Sequence, residues 1–208
     1  MKGKIDIVNI NFLNLSEEDE LEKIKLALKK QRKDQDEANK LAQLDDLIHK
    51  LGCMAYKDIV DITSNGQAPL AIFLLCTCLL EQMATYRYGS NGNIKKFMKE
   101  YMPQYDGDIM HEMRNRINHN YSLHEKYAIT IRARNAHLVP NRNGILIINM
   151  ENFVEELGAV FNQFADDLRQ NKGIGNNALN VLKTYGILGQ ATMDIIIPES
   201  DMNEDKSS

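Results

Sequence analysis

The chain has 208 residues, is 43% hydrophobic and 26% charged, and carries a formal net charge of −4 with a pI near 5.8. These values fit one soluble globular domain, or one domain with an appendage, and exclude a surface coated in positive charge for duplex nucleic acid. A local basic cleft stays open, because steering depends on where charges sit, and from Arg87 to Arg134 nine Lys or Arg stand against five Asp or Glu.

Taken in chain order, residues 1–15 read as a short strand, "KIDIVNINF", and lack the apolar core and cleavage pattern of a signal peptide. Ser16 opens a helix with Asp19 three residues on, an approximate capping box. "KKQRKDQDEANK" then reads as a linker or as the exposed middle of a long helix. Leu41, Leu44, Ile48, Leu51, Ala55, Ile59 and Ile62 follow at steps of three or four, a one-sided helical stripe. "TSNGQAP" breaks it, and Pro69 suits the first turn of the next helix. That helix, running to about Tyr88, reads as buried on all sides; its apolar run, "APLAIFLLCTCLL", is too short for a membrane span and ends at Glu81.

Three cysteines, Cys53, Cys76 and Cys78, with no secretion signal, read as reduced, buried thiols in a cytoplasmic protein. "GSNGN" marks a turn, "IKKFMKEYM" a short helix, and residues 108–122 another helix. "KYAITIRARNAHLV" and "GILIINM" flank "PNRN" as a β-hairpin. Met150, Phe153, Leu157, Phe161, Phe164 and Leu168 form a further helical stripe, which "KGIGNN" ends. A short helix over 178–185 and a frayed tail, "ESDMNEDKSS", close the chain. The expected fold is mainly α: a four- to five-helix bundle with a small β-hairpin at about 127–149, inserted before the last long helix. Residues 1–39 would be an N-terminal strand and helix extension, 40–172 the helical domain, and 173–208 a short helix and tail.

The stretch "EMRNRINHNYS", residues 112–122, gathers two guanidiniums, an imidazole, three amides and a phenol on one helix. At ~100° per residue, Met110, Met113, Ile117 and Tyr121 share the inward stripe, while Asn115 and His119 fall on the far side and Arg114 and Asn118 on the flank. Arg114 and His119 are ~140° apart, within the reach of a long Arg side chain along one polar surface.

The string "RNRINHNY" resembles the R-x(4–6)-H signature of the HEPN superfamily, and its narrower form R-x(4)-H-x-Y is matched by Arg114, His119 and Tyr121. The resemblance covers roughly residues 40–172 and implies an all-α fold and a metal-independent ribonuclease of the toxin–antitoxin, abortive-infection or CRISPR kind. It implies Arg114 and His119 as catalytic pair, a homodimer with this helix at or near the interface, RNA as partner and substrate, and an antitoxin that modifies Tyr121. Asn115 fits the polar residue usual after the Arg. A second match, Arg132 and His137 in "RARNAH", falls in the strand-like region with Ala133 at the polar position, and is set aside as a decoy.

In such a site a neutral His119 would take the proton of a ribose 2′-OH, and Arg114 would hold the phosphate oxygens and offset growing charge. No metal or cofactor is expected, since no ligand cluster of the right spacing stands out. Asn115 and Asn118 read either as orienting groups or as surface amides, and Arg116 as electrostatic support or a solvated cation. Tyr121 reads as a packed tyrosine on the apolar stripe. Glu81, in an apolar helix, requires a partner, with Arg114 one candidate, or a partly exposed place near the helix end. His49, His111 and His124 have no evident companions. The competing expectations are a non-catalytic HEPN-like module that binds RNA, nucleotide or protein, and an all-α scaffold whose Arg–His helix is a dimer seam.

Overall fold

Helix-forming Glu, Lys, Gln, Ala and Leu dominate residues 17–50, and they form one helix, α1 (Glu17–Lys50). The computed structural model describes residues 17–66, 68–89 and 93–185, with side chains from Glu20 onward. The expected strand over residues 4–12, the Ser16 cap and the tail from 199 lie outside the described residues.

The chain divides into two compact units, residues 1–41 and 42–208. The described part of the first unit is helical, including the charged "KKQRKDQDEANK" stretch, and its Leu21, Ile24, Leu26 and Leu28 are exposed.

In the second unit, Leu44, Leu47, Ile48 and Leu51 begin the core. A π-helical turn, Leu51–Tyr56, precedes α2 (Lys57–Ser64), and Ile59 is buried where the stripe resumes. Helix α3 (Pro69–Tyr88) is central, packing against α2, α4 (Ile94–Tyr101), α5 (Gly107–Asn120), α6 (Met150–Gln170) and α7 (Lys172–Tyr185). Ile72, Phe73, Cys76, Leu79, Leu80, Met83 and Ala84 are buried, whereas Ala71, Leu75 and Cys78 on the other side of α3 are exposed. The expectation of burial all round is thus corrected: α3 has an outer face. By length and composition alone it could cross a membrane, but half of that window is buried within the protein.

Side-chain caps set several helix starts. Asn93 accepts from the Lys96 N–H at 3.2 Å, Asp106 from those of Asp108 and Ile109 at 3.0 and 3.2 Å, and Asn149 from that of Asn152 at 3.1 Å. On α6, Met150, Phe153, Leu157, Phe161, Phe164 and Leu168 all point into the core.

The hairpin expectation is corrected. Strands β1 (Tyr127–Thr130) and β2 (Leu146–Asn149) pair in parallel, Tyr127 opposite Leu146 and Thr130 opposite Asn149. The tight turn at "PNRN" does exist: the Asn141 N–H donates to Ile145 O at 2.8 Å, and Leu138 N–H to Ile147 O at 2.7 Å. That turn folds residues 138–141 antiparallel onto one edge of β2, leaving the other edge for β1. Alternation sets which face a strand buries but not its direction, and positive φ at Arg132 (64°) and Leu138 (56°) turns the chain between the strands. The last helix also starts earlier than expected, at Lys172, where Asn171 Oδ1 accepts from the Gly173 N–H at 3.0 Å. Its Ile174, Ala178, Leu179 and Val181 are buried.

Candidate functional site

The Asp106 cap starts α5, and Met110, Met113 and Ile117, each with no exposed surface, anchor its inner face. That anchoring turns residues 111, 114, 115, 118 and 119 away from the core. Arg114 meets Glu81 of α3: its Nη2 donates to Glu81 Oε2 at 2.8 Å, both side chains being about three-tenths exposed. The apolar helix therefore keeps its carboxylate by leaving it partly exposed, about two turns before the helix end, and pairing it with a guanidinium.

The contacts continue around a ring. Arg114 Nη1 donates to Asn115 Oδ1 at 3.1 Å, Asn115 Nδ2 lies 3.3 Å from His111 Nε2, and His111 Nδ1 lies 4.0 Å from Glu81 Oε1. His111 Nδ1 is buried without a hydrogen-bond partner. His111 thus has companions, Asn115 four residues on in its own helix and Glu81 from α3, and the second is one its sequence setting does not disclose.

His119 and Asn118 are exposed at the last turn of α5, and His119 makes no hydrogen bond or ion pair with another described residue. Arg116 folds back along its own helix onto Glu112, Nε donating at 2.9 Å and Nη2 at 2.6 Å. Glu112 Oε2 also lies 3.6 Å from Nε2 of the buried His124, whose Nδ1 accepts from the Lys126 N–H at 3.1 Å.

The packing expected of Tyr121 is corrected. The helix stops at Asn120, Tyr121 takes the left-handed conformation (φ 51°, ψ 32°) as the cap, and its side chain is 81% exposed. Helical phase puts residue 121 on the apolar stripe only while the helix continues. The buried-thiol expectation is also corrected: Cys76 is buried but Cys53 and Cys78 are exposed. Cys76 and Cys78 are ~200° apart on one helix, so sinking one lifts the other out. Burial pushes the Cys76 thiol well above its ordinary range.

The imidazole of the set-aside pair is engaged within the fold. His137 is committed at both nitrogens: Nδ1 accepts from the Asn149 N–H at 3.1 Å, and Nε2 lies 2.9 Å from Tyr105 Oη and 3.1 Å from Glu156 Oε1. Tyr105 donates to Glu156 Oε2 at 2.7 Å, and burial followed by that bond drives its phenol far above the ordinary range. This cluster ties the strand insert to α6.

The local excess of basic residues is largely spent on partners. Arg87 pairs with Glu100, Lys95 with Asp108 at 2.7 Å, Arg116 with Glu112, and Arg134 with Glu155. Among the described residues, no group of three or more His, Cys, Asp or Glu is arranged to hold a metal ion. Comparison of the chain with protein-family models, curated proteins and solved structures finds no match.

Proposed function

We propose that the protein is a metal-independent endoribonuclease of the HEPN type, acting on single-stranded RNA in the cytoplasm as a toxin–antitoxin or phage-defence effector. The observation that carries the reading is the tethering of Arg114 to Glu81 on the helix that also carries the exposed, unpartnered His119. The single 2.8 Å bond to Glu81 and the bond to Asn115 fix the guanidinium while leaving N–H groups for a phosphate. His119 lies five positions on, ~7.5 Å along the axis, at an exposed place where a ribose-phosphate link has access.

In the proposed step, His119 takes the 2′-OH proton and O2′ attacks the adjacent phosphorus. The P–O5′ bond breaks, and a second His119, supplied by the other copy in a homodimer, protonates the leaving oxygen. The products are a 2′,3′-cyclic phosphate and a 5′-hydroxyl; DNA, lacking the 2′-OH, is spared. Arg114 offsets the charge growing on the phosphate, with Asn115 and Asn118 orienting it. Exposed Tyr121 would be accessible to an antitoxin that adds nucleotides.

Labelled single-stranded RNA incubated with the pure protein in EDTA tests this. Cyclic-phosphate ends are expected, with the rate falling about 10²–10⁴-fold in His119→Ala and comparably in Arg114→Ala. Intact RNA with the wild-type protein across many sequences would overturn catalysis. A second reading, a binding module without catalysis, is favoured by the pairing of the surrounding cations, which weakens the field available to draw RNA in. Bound but uncut RNA would establish it.

A further inference from the structure

We infer that His111 is a positioning residue that closes a polar ring around the candidate site, and that it does so as the neutral tautomer with its proton on Nδ1. The inference follows from donor and acceptor chemistry and the distances. A guanidinium only donates, so the Asn115 atom 3.1 Å from Arg114 Nη1 must be the carbonyl Oδ1. The amide orientation is thereby settled by chemistry, and Nδ2–H is left facing His111 Nε2 at 3.3 Å. Nε2 must then offer a lone pair, which puts the ring proton on Nδ1. Nδ1 is the buried atom that lacks a hydrogen-bond partner, and the acidic oxygen beside it is Glu81 Oε1 at 4.0 Å.

Glu81 is consequently the terminus of both arms. Oε2 receives Arg114 directly, and Oε1 faces the imidazole at the end of the route through Asn115. At 4.0 Å the last gap exceeds a hydrogen bond, and a small rotation of either side chain would complete it. An open ring leaves a buried N–H unpaired, which favours closure. The ring fixes Asn115, Asn115 helps fix Arg114, and Arg114 is thereby aimed without any contact between His111 and a substrate. His111 stands three residues before Arg114 and lies outside the Arg–His motif.

The role assigned to His111 rests on the ribonuclease reading, but its test does not. In 15N-labelled full-length protein at neutral pH, long-range 1H–15N correlations of His111 are expected to show a protonated Nδ1 and an unprotonated Nε2. The Nε2–H tautomer would overturn the inference. In Asn115→Asp, position 115 can no longer donate, so His111 is expected to carry a proton on Nε2; an unchanged pattern would overturn the ring. If RNA is cleaved, His111→Phe, which keeps a ring of similar size, is expected to lower kcat/KM about ten-fold through misplacement of Arg114. Unchanged kcat/KM would overturn the positioning role. Absence of RNA cleavage with the Nδ1–H tautomer in place would sink the nuclease reading and leave the ring standing.

Discussion

Tyr121 holds a left-handed backbone conformation that a side chain with a Cβ adopts at a cost of about 1 kcal/mol, and it does so with its ring in solvent. Its amide still donates to Ile117 O at 3.1 Å, so the position serves as a helix cap in which glycine would fit without strain. Tyr121→Gly is therefore expected to raise stability by about 0.5–1 kcal/mol, read as a shift in urea midpoint at constant slope. Strain kept at an exposed aromatic beside the Arg114–His119 helix is what a functional site would show. At the same scale, the Arg114 guanidinium and the His119 imidazole were legible as a spaced pair, because spacing on one helix is a property of the string. The approach of Glu81 to Arg114 and His111 depends on which turn of α3 faces α5, and no local pattern encodes that.

Helices α2 and α6 come close where the π turn ends. Tyr56 donates to Val154 O at 3.2 Å, and its ring stacks on Phe161 with centroids 6.0 Å apart. Gly158 lies beneath it: a Cβ built there would sit 2.2 Å from the Tyr56 hydroxyl oxygen. Gly158→Ala should push Tyr56 off its bond and cost about 1–3 kcal/mol by overpacking. In a double-mutant cycle with Tyr56→Ala, the alanine at 158 should cost much less, because the colliding hydroxyl and ring are gone; additive losses would contradict this contact. The apolar stripes on α5 and α6 were readable since a helix anchored by Met110, Met113 and Ile117, or by Phe153, Leu157 and Phe164, must turn those residues inward. The parallel pairing of β1 and β2 was not, because both directions bury the same side chains.

Across the second unit, helices are also joined through a network of charge. Arg87 at the end of α3 pairs with Glu100 of α4, donating from Nε to Oε2 at 3.2 Å, and Tyr88 donates to the same oxygen at 2.5 Å. The bond from Arg87 holds the Glu100 carboxyl below its ordinary value of 4.5, while burial, with the Glu100 bond next, raises the Tyr88 phenol to about 12. A depressed carboxylate stabilises the fold at pH above its unfolded value, and that contribution is lost as pH falls through the lowered folded value. Glu100→Gln should therefore be less stable than wild type at neutral pH, the gap closing below about pH 4.5 in urea titrations across pH; a gap constant down to pH 2 would contradict the pairing.

By itself the sequence determined a mainly helical protein, the inward stripes of its principal helices, and an Arg–His helix with a polar outer side. Each is written in periodicity or spacing, which the chain carries locally. Tertiary structure alone decided that α3 keeps an open face, that β1 runs parallel to β2, that Tyr121 leaves the core, and that Glu81 meets both Arg114 and His111. Those outcomes turn on which surfaces meet between segments distant in sequence, where burial is shared among competing partners.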